Sequence, residues 1–205
     1  MTRSNLSPAL RRPAIAALLL GLLLLPGAAQ AHIVKGEAIG FVSGFLHPVS
    51  GLDHIIAMVA VGMWGAQLGR PAIWVLPLTF PLVMAFGGFL GLIGVPLPGA
   101  EIGIALSGVV LGAAVLSQFR APLWLVAAIV GIFGLFHGHA HGAEMPPGHN
   151  PLLYSAGFVL ATGLLHVCGI VIGLLHRWRW GGYAIRAGGG AVMAGGLVFL
   201  WQAVA

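Results

Sequence analysis

Six long apolar stretches, joined by short connections, occupy the sequence from residue 49 to residue 204. A helix needs about 20 apolar residues to cross the hydrocarbon core of a bilayer, which is about 30 Å thick. Only 6% of the residues are charged, whereas soluble domains carry about 25%. We therefore predict an all-α fold, a polytopic membrane helix bundle. The six predicted transmembrane helices are Val49–Gly69, Ala72–Ile93, Ile102–Gln118, Leu123–His139, Leu152–Leu175 and Tyr183–Val204.

The first 31 residues have the three parts of a cleavable secretory signal peptide. Basic residues come first, the apolar core Ala14–Leu25 follows, and Ala29-Gln30-Ala31 is a small-residue cleavage site. An uncleaved span is the alternative, but this core is shorter than a span requires. We expect removal of residues 1–31, which leaves residues 32–205 as a six-span membrane transport domain. Cleavage would make His32 the N-terminal residue, and its α-amine and imidazole form a chelating pair.

Arginines occur in alternate connections of the predicted bundle. The connections after the first, third and fifth spans carry Arg70, Arg120, Arg177 and Arg179. The other two connections, residues 94–101 and 142–151, contain no Lys or Arg. The positive-inside rule places the arginine-bearing connections in the cytoplasm. Both mature termini are then external (periplasmic), and in a Gram-negative source the membrane is the inner (cytoplasmic) one.

The remaining composition excludes two other classes of protein. The nine Lys and Arg are scattered, and three of them lie in the predicted signal peptide, so no basic patch for nucleic acid exists. The single cysteine, Cys168, excludes an intrachain disulfide framework and a CxxC redox pair. Glycine pairs at GxxxG spacing instead predict close packing of helices in lipid. These pairs are Gly87 and Gly91, Gly108 and Gly112, Gly134 and Gly138, and Gly169 and Gly173.

The first polar cluster holds His47, Asp53 and His54 beside the helix breakers Pro48 and Gly51. Ionisable residues in a span are costly and mark candidate functional sites. On an unbroken helix the two histidines would lie about 10 Å apart along the axis, too far for one ion with bonds near 2 Å. A helix starting at the proline would let His47 fold back over Asp53 and His54. We predict metal or proton chemistry here, and the alternative is a kinked helix whose polar groups pair with each other.

The second cluster is the run FHGHAHGAE at the outer end of the fourth span. If the helix continues, His137, His141 and Glu144 lie on one stripe at i, i+4 and i+7, and His139 faces elsewhere. If the glycines loosen the helix, the three histidines can turn together. The alternative is a histidine-rich external loop that collects metal loosely. The predicted topology puts both clusters at the external side, so that one site can form between them.

Two other polar residues in the predicted spans have simpler interpretations. Glu101 begins the third span, where a negative charge suits the helix dipole, and we assign it no further role. His166 lies near the middle of the fifth span. A packed, hydrogen-bonded histidine and a relay ligand are both consistent with that position.

The stretch HPVSGLDH, with AMVAVG after it, and the later FHGHAHGAE resemble the two signature motifs of the HupE/UreJ family of nickel/cobalt permeases. The resemblance covers essentially the whole predicted mature chain. It implies two sets of residues for metal recognition and transport. These are His47, Asp53 and His54 in the family's HX5DH pattern, and His137, His139 and Glu144 in its FHGH…E pattern. It also implies supply of nickel, with cobalt as the variant cargo, to hydrogenases and ureases.

We therefore expect uptake of Ni²⁺ or Co²⁺ as the transported substrate, with no permanently bound cofactor. Imidazole nitrogen suits both metals, and carboxylate oxygen neutralises their charge. The extra His141 and the N-terminal His32 complete the set of candidate ligands. The expected partners are the metal ion, the lipid bilayer, and metallochaperones or maturation proteins of the metalloenzymes served, with no nucleic acid.

Three other functions compete with transport. A membrane protein that binds or senses metal without moving it would have the same ligands. A membrane metalloenzyme is less well supported, because the HExxH motif and the Glu-x-x-His pairs of di-iron bundles are both absent from the sequence. A haem carrier would need facing histidines at two depths, whereas the histidines here cluster at one side.

Overall fold

The computed structural model describes residues 38–145, 148 and 150–205. The predicted signal peptide and His32 lie outside the described residues. The helices are α1 (Ala38–Ser50), α2 (Leu52–Leu68), α3 (Ala72–Leu92), α4 (Ala100–Ser117), α5 (Leu123–Ala143), α6 (Pro151–Gly173) and α7 (Gly181–Val204). A short 3₁₀ turn, Leu174–Arg177, follows α6. The predicted all-α, multi-pass membrane fold is confirmed over this part of the chain.

Five helices, α3 to α7, are each long and apolar enough to cross a membrane. A sixth crossing needs α1 and α2 together, which meet at a bend of 81°. The predicted first span, Val49–Gly69, therefore does not coincide with one helix, because Val49 belongs to α1 and α2 begins at Leu52. Pro48 does not start a helix as predicted. It lies in the last turn of α1, where its missing N–H leaves the carbonyl of Gly44 without its usual helical donor, and the chain turns at Gly51 instead.

Large apolar side chains are exposed on the membrane-facing side of the bundle, whereas soluble proteins bury most such side chains in the core. On α3, the large apolar residues Leu78, Leu82 and Phe86 are exposed, whereas Phe80 and Met84 are buried. Exposed apolar side chains in such number suit a lipid environment. The helix is apolar all round because one side packs on protein and the other side packs on acyl chains.

Short connections make successive helices from α2 to α7 alternate in direction, so the bundle has two chemically distinct ends. We call one the arginine end, which carries Arg70, Arg120, Arg177, Arg179 and Arg186. There the guanidinium Nε of Arg186 donates to the Leu116 carbonyl at 3.0 Å. Exposed tryptophans at the same end form an interfacial belt: Trp74, Trp124, Trp178 and Trp180. We call the other end, where α2 begins and α5 ends, the histidine end.

The predicted packing role of the GxxxG glycines is confirmed. Gly134, Gly138 and Gly142 form a stripe on α5 that lies against the backbone of α3. A Cβ atom at Gly138 would overlap the carbonyl oxygen of Met84. On α4, Gly108 and Gly112 lie against α7 in the same way, and on α6, Gly169 and Gly173 lie against α2. The close approach of α5 to α3 fixes the helix that carries the second histidine motif.

The variant Gly138→Ala is expected to lower the midpoint of thermal unfolding in detergent by several degrees. The added Cβ meets backbone, which cannot move aside without separating α3 from α5, and such overpacking costs about 1–3 kcal/mol. Gly163→Ala on α6 is the matched control, because its Cβ would meet nothing within 4 Å among the described residues. Equal unfolding midpoints for the two variants would contradict the close packing of α3 on α5.

Candidate metal centre

The turn between α1 and α2 positions the first motif. Gly51 has an extended backbone, with φ −105° and ψ 123°. A Cβ there would lie 2.6 Å from Oδ1 of Asp53 and 2.9 Å from Nδ1 of His54. A Cβ at this position would therefore displace both side chains, and its absence allows the Asp53–His54 pair to fold back over the helix start. Nδ1 of His54 lies 2.8 Å from Oδ1 of Asp53 within that pair.

The second motif reaches the first because α5 continues through its glycines to Ala143. The ring centroid of His54 lies 5.0 Å from that of His137 and 4.6 Å from that of His141. The ring of His47, on α1, lies 4.5 Å from that of His141. We call these four residues the imidazole cluster. It combines side chains from α1, α2 and α5 at the histidine end.

Glu144 adds a carboxylate to one side of the cluster. Ligand atoms of His47, His141 and Glu144 all lie within 4.8 Å of one another. Ligand atoms around an ion with bonds near 2 Å are about 3 to 4 Å apart, so small side-chain movements bring these three into coordination range. The helical stripe of His137, His141 and Glu144 is thus the arrangement that the structure contains.

His139 faces away from the imidazole cluster. Its Nε2 lies 2.6 Å from the carbonyl oxygen of Val95, in the connection between α3 and α4. The ring therefore donates a hydrogen bond that ties this connection to α5. The structure does not bring His139 to the other candidate ligands, although the family resemblance included it among them.

The hydrogen bonds of two cluster histidines leave one ring nitrogen of each free. His137 donates from Nδ1 to the carbonyl of Phe133 at 2.9 Å, and His54 donates from Nδ1 to Asp53. Metal-bound histidines are oriented in this way, with one ring N–H donated to a carbonyl or carboxylate and the other nitrogen on the metal. The Nε2 atoms of His54 and His137 are buried and have no hydrogen-bond partner in the described part of the chain.

His141 lies between the other rings of the cluster, and both of its ring nitrogens are buried without a hydrogen-bond partner among the described residues. A buried polar group left in this state costs about 1–3 kcal/mol. Together with Nε2 of His54 and His137, four such atoms lie in one small volume. Each neutral ring has one nitrogen with a lone pair, so His54 and His137 through Nε2, and His141 through one of its two ring nitrogens, can each offer a ligand to a cation.

A cavity of about 330 Å³ opens beside the imidazole cluster. Its polar wall consists of His47, Asp53, His54, His141, Glu144 and Glu101, with Gln202 from α7. Glu101 is the functional candidate that the sequence interpretation missed. Its acidic side chain suits the start of α4, but that start is at the histidine end. The predicted topology already placed residues 94–101 on the same side as both motifs, which was the available signal.

The variant Gly51→Ala is expected to weaken divalent-metal binding by about 10- to 100-fold, the usual effect of disturbing the groups that orient ligands. The backbone angles of Gly51 are open to alanine, so the added methyl group acts by displacing Asp53 and His54 rather than by strain. Isothermal titration of the purified chain with nickel measures the effect, with Gly163→Ala as the control. Unchanged affinity in Gly51→Ala would show that the Asp53–His54 pair does not hold the metal.

Comparisons with known proteins identify the family to which the chain belongs. Residues 20–199 match the family model described as HupE / UreJ protein. The chain is 46% identical over 181 residues to Protein HupE of Rhizobium leguminosarum bv. viciae, an alignment that covers 88% of this chain and 94% of that protein. No solved structure gives a significant match. With the match extending over both motifs, the chain belongs to the HupE/UreJ family.

Proposed function

We propose that this protein imports Ni²⁺, or Co²⁺, across the cytoplasmic membrane through the imidazole cluster. The observation that carries the proposal is the convergence, beside a cavity with three carboxylates, of imidazole nitrogens from two separate motifs that have no hydrogen-bond partner within the described part of the chain. Imidazole nitrogen is a good ligand for both metals, and the carboxylates of Asp53, Glu101 and Glu144 offset the charge of the ion.

The broken helix formed by α1 and α2 also supports transport. Discontinuous membrane helices build the substrate sites of many transporters, because their free ends and unwound backbone lie at the site. Here the break at Gly51 directly precedes the ligands Asp53 and His54. A simple structural kink would not need to place two ionisable side chains in its first turn.

Direction follows from the charges at the two ends. The arginine end belongs in the cytoplasm by the positive-inside rule, which leaves the histidine end external. The cluster then captures metal outside and releases it inward. Histidine binds metal only as neutral imidazole, so protonation weakens the site and favours release. By family resemblance, the imported metal serves hydrogenase or urease through metallochaperones or maturation proteins.

Transport is tested with the purified chain in proteoliposomes that contain a metal-sensitive dye. The expected result is nickel or cobalt entry that greatly exceeds the number of chains, with slower entry of zinc and copper. A protein that only binds or senses metal would take up no more metal than it has sites, and that result would overturn the proposal. Empty liposomes correct for leakage.

A further inference from the structure

Below the imidazole cluster, toward the arginine end, α6 carries two buried polar side chains that the proposed site does not use. Thr162 and His166 are one helical turn apart, and their exposed fractions are 0% and 1%. Oγ1 of Thr162 and both ring nitrogens of His166 have no hydrogen-bond partner among the described residues. Three unpartnered polar atoms within one helical turn are costly in a membrane interior. Their cost is explained if they face a polar ligand.

A single aromatic ring connects this pair to the imidazole cluster. The centroid of Phe80 lies 5.3 Å from the ring of His137 and 5.4 Å from the ring of His166. Phe80 is itself fully buried on α3. A cation that leaves His137 toward the arginine end would therefore meet Phe80 first and His166 directly after it.

Helix α3 provides an additional oxygen at the same level. Residue 81 is proline, which has no N–H, so the carbonyl of Pro77 lacks its usual donor four residues later. That carbonyl lies next to the ring of His166, outside hydrogen-bond geometry. The imidazole of His166 thus has this carbonyl beside it, and the hydroxyl of Thr162 lies one helical turn away on α6. All three are neutral ligands that a partly dehydrated divalent cation accepts.

The position is deep in the bundle. His166 lies about 22 Å along α6 from Pro151, at 1.5 Å per residue, and the hydrocarbon core is about 30 Å thick. The pair is therefore between the imidazole cluster and the arginine end. A weaker position at that depth has a clear use, because conduction requires sites that bind well enough for entry and weakly enough for exit.

We propose that Thr162, His166 and the Pro77 carbonyl form a second, transient position for the divalent cation, separated from the imidazole cluster by the ring of Phe80. This inference rests on the proposed function. The imidazole cluster sets the affinity for metal, and the deeper position sets the rate at which bound metal continues inward. Phe80 must rotate for the ion to pass between the two positions.

The test compares His166→Phe and Thr162→Val with wild type in proteoliposomes and in nickel titrations of the purified chain. Valine has nearly the shape of threonine, so it removes the hydroxyl while retaining the packing. We expect nickel entry per folded chain to fall at least about tenfold in His166→Phe and about threefold in Thr162→Val, with nickel affinity within about twofold of wild type. His176→Phe is the matched control, because its ring bonds to the Gly173 carbonyl at the arginine end.

Each outcome decides the inference. Wild-type rates in both variants would overturn the deeper position and leave the permease proposal intact. A loss of nickel affinity in parallel with the loss of entry would assign His166 to structural support of the imidazole cluster and would also overturn it. A wild-type chain that moves no nickel would overturn both the inference and the proposed function.

Discussion

Replacing His54 with alanine is expected to lower nickel uptake at trace supply by about a hundredfold or more. His54 is the central ring of the first motif, in contact with both His137 and His141. Its Nε2 is one of the buried nitrogens without a partner among the described residues, so the substitution removes a ligand and breaks only the bond to Asp53. Asp53 lines the cavity, where water can replace that bond.

Uptake is measured as ⁶³Ni accumulation in cells that lack their own nickel importer, normalised to the amount of chain in the membrane. His176→Ala is the control, since that histidine lies at the arginine end. Nickel is supplied at a trace concentration, so that uptake depends on the affinity of the site. If His54→Ala accumulates nickel at the wild-type level, the imidazole cluster is not part of the transport path.

The second prediction concerns nickel binding and distinguishes two neighbouring histidines of α5, His141 and His139. His141→Gln is expected to weaken nickel binding about a hundredfold, because His141 contacts both His47 and His54. His139→Gln is expected to change it less than about threefold, because a glutamine amide can still donate to the Val95 carbonyl. His141 and His139 are similarly buried, with exposed fractions of 5% and 8%. A difference in nickel affinity between the two variants therefore reflects the direction in which each side chain points and not how deeply it is buried.

The nickel dissociation constant of each purified variant is measured by equilibrium dialysis. Circular dichroism and the thermal unfolding midpoint verify that both variants are folded. A larger loss of affinity in His139→Gln than in His141→Gln would contradict the placement of His139 outside the site. It would favour instead the alternative in which the glycines of α5 loosen and turn that ring inward.

The five spans α3 to α7 and their approximate ends could be predicted from the sequence, because each apolar run must match the thickness of the bilayer. The bend could not be placed, since Pro48 and Gly51 both break helices. The chain bends at Gly51, where the side chains of Asp53 and His54 occupy the space that a Cβ would need, and the rotamers of those two residues cannot be read from the sequence. The sequence therefore indicated that a break exists but did not determine its position.

The meeting of the two motifs could be anticipated from topology, whereas the roles of individual residues could not. Gly138 and Gly142 were equally consistent with a loosened helix, and only their contact with α3 shows that they pack a continuous one. Glu101 suits a helix start when its neighbours in sequence are considered alone. Its place in the cavity depends on the ends of α5 and α7, which are distant in sequence.

The most direct test of whether imidazoles from two motifs hold one cation is the nickel K-edge absorption spectrum of the metal-loaded chain. The predicted spectrum shows imidazole nitrogens and carboxylate oxygens at about 2.0–2.2 Å. It loses imidazole scattering in His54→Ala and, separately, in His141→Ala. A spectrum that neither substitution changes would contradict a shared site between α2 and α5.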